Sequence, residues 1–207
     1  MTLTAEAPVP GSVAETDFAA ARRAMIDSQL RTSGVTDAAV VEAMGRVPRE
    51  DFVPAAARGH AYIDRAIPLG DGHSLPAPLF HGKLLSEAAL TANDAVLVVG
   101  CGSGYLAALV EPLVASLDLA TAASAATRKS GKGRYSLLLI DGAIGHLPNG
   151  LAAELAEGGR IVTGLVERGV TRLATGRKIG GAVALLPLAE LGIPVLAEFA
   201  APKRWSF

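Results

Sequence analysis

Three glycines, Gly100, Gly102 and Gly104, follow the apolar run Ala95 to Val99, and Asp118 lies 18 residues beyond the first of them. A buried strand that opens into a glycine-rich turn lets backbone amides come close to a bound molecule, and a carboxylate at the end of the next strand grips both hydroxyls of a ribose. Glycines alone make only a tight turn, and Asp118 alone only caps a helix. Strand, loop, helix and acid in that order favour a site for a ribose-bearing cofactor. The spacing is GxGxG with Tyr105 next, so the dinucleotide pattern GxGxxG is not met and a pyrophosphate cradle is disfavoured.

Other groups with chemistry gather in two places. The segment Tyr62 to Pro78, YIDRAIPLGDGHSLPAP, is rich in Gly, Pro, Asp and His and reads as a loop resting on a scaffold, which makes Ser74 and His73 candidates and His81 a neighbour. A serine or histidine in such a loop is equally a turn or packing residue. Asp141 follows the apolar stretch Tyr135 to Ile140 and either faces the same ligand or starts a turn. One cysteine, Cys101, and four histidines offer no zinc-ligand spacing, so no metal is expected. A single cysteine also forms no internal disulfide, which suits a reducing cytoplasm.

The elements that must position these groups follow from periodicity. Phe18, Met25, Ile26 and Leu30 mark one face of a helix that Gly34 ends, and Thr36 or Asp37 caps a second helix that Pro48 limits. A helix from Leu79 to Leu90 leads through Asn93-Asp94 into the strand Ala95 to Val99. A helix from Tyr105 to Val114 follows the glycine loop, then a strand from Ala115 to Leu119, a helical stub over Ala120 to Thr127 and a solvated turn, RKSGKGR. Tyr135 to Ile140 is the next strand, with a loop at Asp141-Gly142 and a helix stopping at Gly158-Gly159. After the strand Ile161 to Val166, turns near Gly169, Gly180 and Gly192 divide two or three more strands that include an antiparallel pair. The expected architecture is α/β, with residues 1–16 a flexible arm and 17–207 a single domain carrying an N-terminal helical layer.

Composition narrows the function classes. The chain has 207 residues, 50% hydrophobic and 4% aromatic, with 19 basic against 20 acidic residues. That balance has no basic excess for a phosphate backbone or an anionic lipid, so neither nucleic acid nor membrane is an expected partner. No signal peptide is expected from MTLTAEAPVPGS, and the apolar tail from Gly180 to Ala201 is broken by Pro187, Glu190, Pro194 and Glu198.

Several blocks resemble the protein-L-isoaspartate O-methyltransferases: MIDSQLRTSGV (25–35), VPREDFVP (47–54), AYIDRAIPLGDG (61–72), VLVVGCGSGYLAAL (96–109) and AEGGRIV (156–162). The N-terminal blocks are more specific than the glycine loop, which many methyltransferases share. The resemblance implies a Rossmann-like class I methyltransferase fold, a mostly parallel sheet with an antiparallel C-terminal pair. It implies S-adenosylmethionine as cofactor and L-isoaspartyl carboxylates of damaged proteins as acceptors. By that resemblance Ser74 is the catalytic hydroxyl and Gly100, Gly102, Ser103, Gly104 and Asp118 form the cofactor set; Asp141, at a strand end where the family has small residues, is added to it as a candidate from its position.

Three departures stand out against the family pattern. Pro76 occupies a second hydroxyl position, and Val98 stands where an acidic residue helps hold the methionine part of the cofactor. Only short sequence separates Leu119 from Tyr135, so one edge strand of the sheet should be missing, together with the acid it supplies to the adenine. The strand left bare should be covered or paired, and a homodimer through it is expected. A paralogue that binds a partner without catalysis is the alternative function.

Overall fold

The computed structural model describes residues 17–201; the expected N-terminal arm, residues 1–16, lies outside the described residues. Asp17 accepts from the Ala20 amide and starts α1 (Phe18–Met25), which widens into a π turn, Ile26–Leu30, and tightens into a 3-10 turn, Arg31–Ser33. Gly34 ends this run at φ +80°, a left-handed conformation open to glycine. Asp37 caps α2 (Ala38–Arg46) by accepting from the Ala39 and Val40 amides. The expected loop holds a small hairpin, β1 (Ile67–Pro68) paired with β2 (Ser74–Leu75), before α3 (Pro78–Ala88).

In β3 (Ala95–Gly100), Val96 to Val99 are all buried, as befits the middle of a sheet covered on both faces. After it come α4 (Tyr105–Val110), β4 (Ser116–Thr121), α5 (Ala122–Ala126), β5 (Tyr135–Ile144), α6 (Asn149–Ala152), β6 (Leu155–Glu167), β7 (Val170–Ile179) and β8 (Ala182–Glu190). The sheet order is β4-β3-β5-β6-β7-β8; the first four strands are parallel, and β7 and β8 are antiparallel. Residues alternate between the two faces. Val96 and Val98 pack with Leu30, Met44 and Phe80 of the N-terminal layer and α3, whereas Leu97 and Val99 pack with Ala122 and Ala125 of α5 and with Leu196 and Phe199.

The N-terminal ends of the strands are tied at Asp94. Its carboxylate accepts from the Thr91 amide and hydroxyl, from Ser136 Oγ at 2.6 Å and from Arg160 Nη2 at 2.8 Å. Burial alone would raise this carboxyl, but those donors outweigh it and hold the pKa down at about 2. The opposite, carboxyl ends of the strands are thereby left to loops, where open α/β sheets bind ligands.

Two sequence expectations are corrected. Asp141 and Gly142 do not form a loop, because β5 continues to Ile144. Its extension is held by the returning C-terminal segment, where the Ala143 amide donates to Pro194 O and Leu196 N–H donates to Ala143 O. The helix expected to stop at Gly158-Gly159 is only α6, and β6 begins at Leu155, so these glycines lie within an irregular stretch of strand pairing. The absent edge strand is as expected: among the described residues no strand lies outside β4, and Leu119 is 64% exposed. No helix among the described residues is long and apolar enough to cross a membrane.

Candidate functional site

The register places Thr121 beside Gly100, and Val99 beside Ile140, so Thr121, Gly100 and Asp141 stand at one level across three adjacent strands. The helices that leave β3 and β4 lie on opposite faces of the sheet, which opens a crevice at this level. A cavity of about 220 Å³ occupies it. Gly100, Gly102, Gly104 and Asp141 line one part; Val98, Leu119, Ala120 and Thr121 line an apolar part toward the free edge. Gly102 sits at φ +95° and Gly104 at φ +80°, and a Cβ at Gly102 would meet nothing within 4 Å, so its backbone is bare to a ligand.

A second, more polar cavity shares Gly102 with the first. Asp51, Phe52, Leu69, Asp71, Cys101 and Ser103 are among its lining. The Ser103 hydroxyl accepts from the Tyr105 amide at 3.2 Å and lies 3.6 Å from Cys101 Sγ, a weak acceptor once the thiol proton is turned to Asp141. The Ser103 proton, with only the sulfur as acceptor, can turn to a stronger acceptor that enters that cavity.

Beneath the shared glycine lies a buried polar cluster. Asp141 Oδ1 is 2.8 Å from His81 Nε2, and its Oδ2 accepts from Cys101 Sγ at 3.2 Å. His81 Nδ1 is 3.3 Å from Arg49 Nη1. Because guanidinium only donates, Nδ1 is the acceptor and Nε2 carries the proton toward Asp141. Burial lowers the His81 pKa, in keeping with a neutral ring, and burial followed by the Asp141 charge pushes the Cys101 thiol up to about 12. Cys101 is thus a packed thiol, not a nucleophile. Arg49, fully buried, also donates to Ala61 O at 2.7 Å and Pro76 O at 2.5 Å, and lies 4.9 Å from the centre of the Tyr105 ring.

The structure brings together Gly100, Gly102, Ser103, Gly104 and Asp141. It places Asp118 elsewhere: β4 runs two residues past Leu119, so Asp118 is mid-strand, accepting from Tyr135 Oη at 2.5 Å on the face away from Leu119. The strand-end position belongs to Thr121, whose Oγ1 accepts from the Ser124 amide and caps α5. Ser74 is half-buried on β2 opposite Pro68 and lines neither of these two cavities. Sequence reading missed Arg49 and Thr121. Arg49 heads a run of three charged residues, Arg49-Glu50-Asp51, and nothing local singles it out as the buried one or marks where β4 ends.

His73 serves as a clasp. Its Nε2 is 2.8 Å from Glu198 Oε1 in the C-terminal segment, and Nδ1 faces Asp71. The Glu198 hydrogen bond raises the His73 pKa above the ordinary histidine value, while Glu198's own backbone and then His73 hold its carboxyl low. A raised histidine contributes fully below the unfolded value of about 6.5 and loses its contribution as pH climbs through the folded value. A lowered carboxyl acts in reverse, losing its contribution as pH falls through its own folded value. Exchange of the Leu196 amide should accordingly be slower in the wild type than in His73→Ala at mildly acidic pH, with the difference fading as pH rises. A difference that persists unchanged into alkaline solution would contradict the clasp.

Comparison with known proteins gives a consistent picture. Residues 20–122 match the family model described as protein-L-isoaspartate(D-aspartate) O-methyltransferase. A protein-L-isoaspartate O-methyltransferase of Roseiflexus castenholzii is 36% identical over 170 residues, covering 70% of this chain and 78% of the relative. One from Koribacter versatilis is 34% identical over 171 residues, covering 71% and 77%. Among solved structures, a Plasmodium falciparum protein described as a protein-L-isoaspartate O-methyltransferase, in complex with S-adenosyl-L-homocysteine, superposes with a TM-score of 0.67 at 17% identity. That match covers 89% of this chain and 100% of the other, and it speaks for the fold.

Proposed function

The chain belongs to the protein-L-isoaspartate O-methyltransferase family, and from that membership we propose that it methylates the carboxylate of L-isoaspartyl residues in damaged proteins, using S-adenosylmethionine. The observation that carries this reading is the pair of cavities meeting at Gly102, one glycine-lined at the strand ends and one polar beside Ser103. The bare left-handed backbone at Gly102 fits a cofactor lying against it. Gly100, Gly102 and Gly104 would hold its central part, Leu119 and Ala120 an apolar ring, and the Thr121 hydroxyl a ribose. When bound, S-adenosylmethionine supplies an electrophilic methyl group.

The protein's share is positioning. A carboxyl of pKa about 4 is already ionised at neutral pH, so its oxygen needs no base to become a nucleophile. It needs to be held in line and shielded from water. Ser103, whose proton has only the weakly accepting Cys101 sulfur as partner, is the donor suited to orient it, and Phe52 and Leu69 line the same cavity as apolar cover. Ser103→Ala should lower kcat/KM for an isoaspartyl peptide about tenfold, the scale of one hydrogen bond to a charged group, while Ser74→Ala changes it little. Equal losses in both variants would return the role to the β2 serine. Calorimetry with S-adenosylhomocysteine tests the reading as a whole. Heat is expected; its absence, with no methylation, would leave a partner-binding protein without turnover. That the chain's one cysteine, Cys101, is buried and has no partner for an internal disulfide supports a cytoplasmic setting.

We also propose that β4 pairs with β4 of a second copy. Its outer edge is free among the described residues, and Leu119 is exposed upon it. An antiparallel register centred on Leu119 sets Leu119 against its own copy and Asp118 against alanine at 120, whereas centring on Asp118 would oppose two carboxylates. Light scattering should give a dimer that Leu119→Lys dissolves. A monomer at every concentration would refute it.

A further inference from the structure

Asp141 is nearly fully buried, 2% exposed, yet its two contacts are both neutral donors, the His81 imidazole and the Cys101 thiol. Among the described residues no lysine or arginine pairs with it; the nearest guanidinium in the cluster, Arg49, stands on the far side of the His81 ring. A buried carboxylate without a cationic partner is costly, because neutral donors offset only part of the lost hydration. Each of its oxygens accepts one bond here, and a carboxylate offers about four acceptor sites, so it has capacity left. Asp141 is among the residues that line the glycine-lined cavity, where Val98 contributes no charge.

Resting on the cofactor reading above, we propose that Asp141 is the counter-ion for the α-ammonium of the cofactor's amino-acid portion, and that Arg49 and His81 are positioning residues that fix its carboxylate. The level of the sheet sets the orientation: the apolar residues Leu119 and Ala120 lie on the β4 side and Asp141 on the β5 side, so a ligand with an apolar ring at one end and an ammonium at the other lies across Gly100 in one direction only. The sulfonium is the other cation of the cofactor. A carboxylate set against it would favour the charged state that methyl transfer consumes, raising the barrier. The ammonium keeps its charge throughout and can be held without that penalty.

The test is calorimetric and needs no turnover. On the wild-type chain, S-adenosylhomocysteine should bind about ten- to a hundredfold more tightly than its analogue lacking the α-amino group, the scale of a charge-assisted hydrogen bond in a buried site. In Asp141→Asn that preference should collapse, while methylthioadenosine, which lacks the amino acid, binds both proteins alike and shows that the variant is folded. Equal binding of the two homocysteine ligands to the wild type would overturn the proposal, whatever the variant does. A loss in Asp141→Asn confined to S-adenosylmethionine would assign the carboxylate to the sulfonium and overturn it as well. Absence of any binding by S-adenosylhomocysteine or methylthioadenosine would remove the cofactor reading and this inference with it, whereas methylthioadenosine binding without amino-group preference would remove this inference alone.

Discussion

Gly102→Val should abolish S-adenosylhomocysteine binding, a loss of at least about a hundredfold in affinity, in a protein that still folds; that scale corresponds to about 2.7 kcal/mol. The residue lies on an exposed turn at φ +95°, which a β-branched side chain adopts only with strain of about 1–3 kcal/mol. A Cβ there clashes with nothing in the protein, so the branched side chain projects into the space where the two cavities meet. The strain can be separated from the blockade. Gly158, also exposed and at φ +78° with open space around it, lies outside both cavities, and Gly158→Val should carry a similar folding penalty with unchanged binding. Calorimetry on the two variants, with urea unfolding of each, checks the pair. Equal affinity of Gly102→Val and wild type would mean that the ligand lies elsewhere.

Arg49→Met should cost about 3 kcal/mol of folding stability, because it strips hydrogen bonds from two buried carbonyls and from His81, each worth about 1–3 kcal/mol when left unmet. The guanidinium reaches Ala61 O and Pro76 O, which bracket the loop carrying β1, β2 and the Asp71 side of the second cavity. It therefore staples that loop to the 3-10 turn Arg49–Phe52. Lysine cannot replace it, since a point charge on a flexible stem does not serve three separated acceptors in one plane. The urea midpoint should fall for both Arg49→Met and Arg49→Lys. A loss under about 1 kcal/mol would show that water takes over the carbonyls and that the staple is slack.

The strand Ala95 to Gly100 and its glycines were legible in sequence because five apolar residues followed by GxGxG leave few alternatives for a parallel sheet. The free β4 edge was legible from the short stretch between Leu119 and Tyr135. Other features depended on distant chain. Asp118 looked like the end of its strand, but pairing with β3 carries β4 on through Ala120 and Thr121, the start of an alanine-rich stretch whose composition suits a helical stub. Asp141 lies inside β5 because the Ile193 to Phe199 segment returns to bond Ala143, a contact that no local pattern announces. The partnership of Arg49, His81 and Asp141 joins three parts of the chain far apart in sequence. Periodicity describes single elements and is silent on such meetings.

Mass measurement of a synthetic peptide incubated with the protein and S-adenosylmethionine tests the proposed function most directly, with the isoaspartyl peptide and its aspartyl isomer in parallel. The isoaspartyl form should gain one methyl group, lost again on mild alkaline treatment as an ester is, and its isomer should gain none. No methyl on either peptide, or the same gain on both, would contradict an isoaspartyl repair methyltransferase.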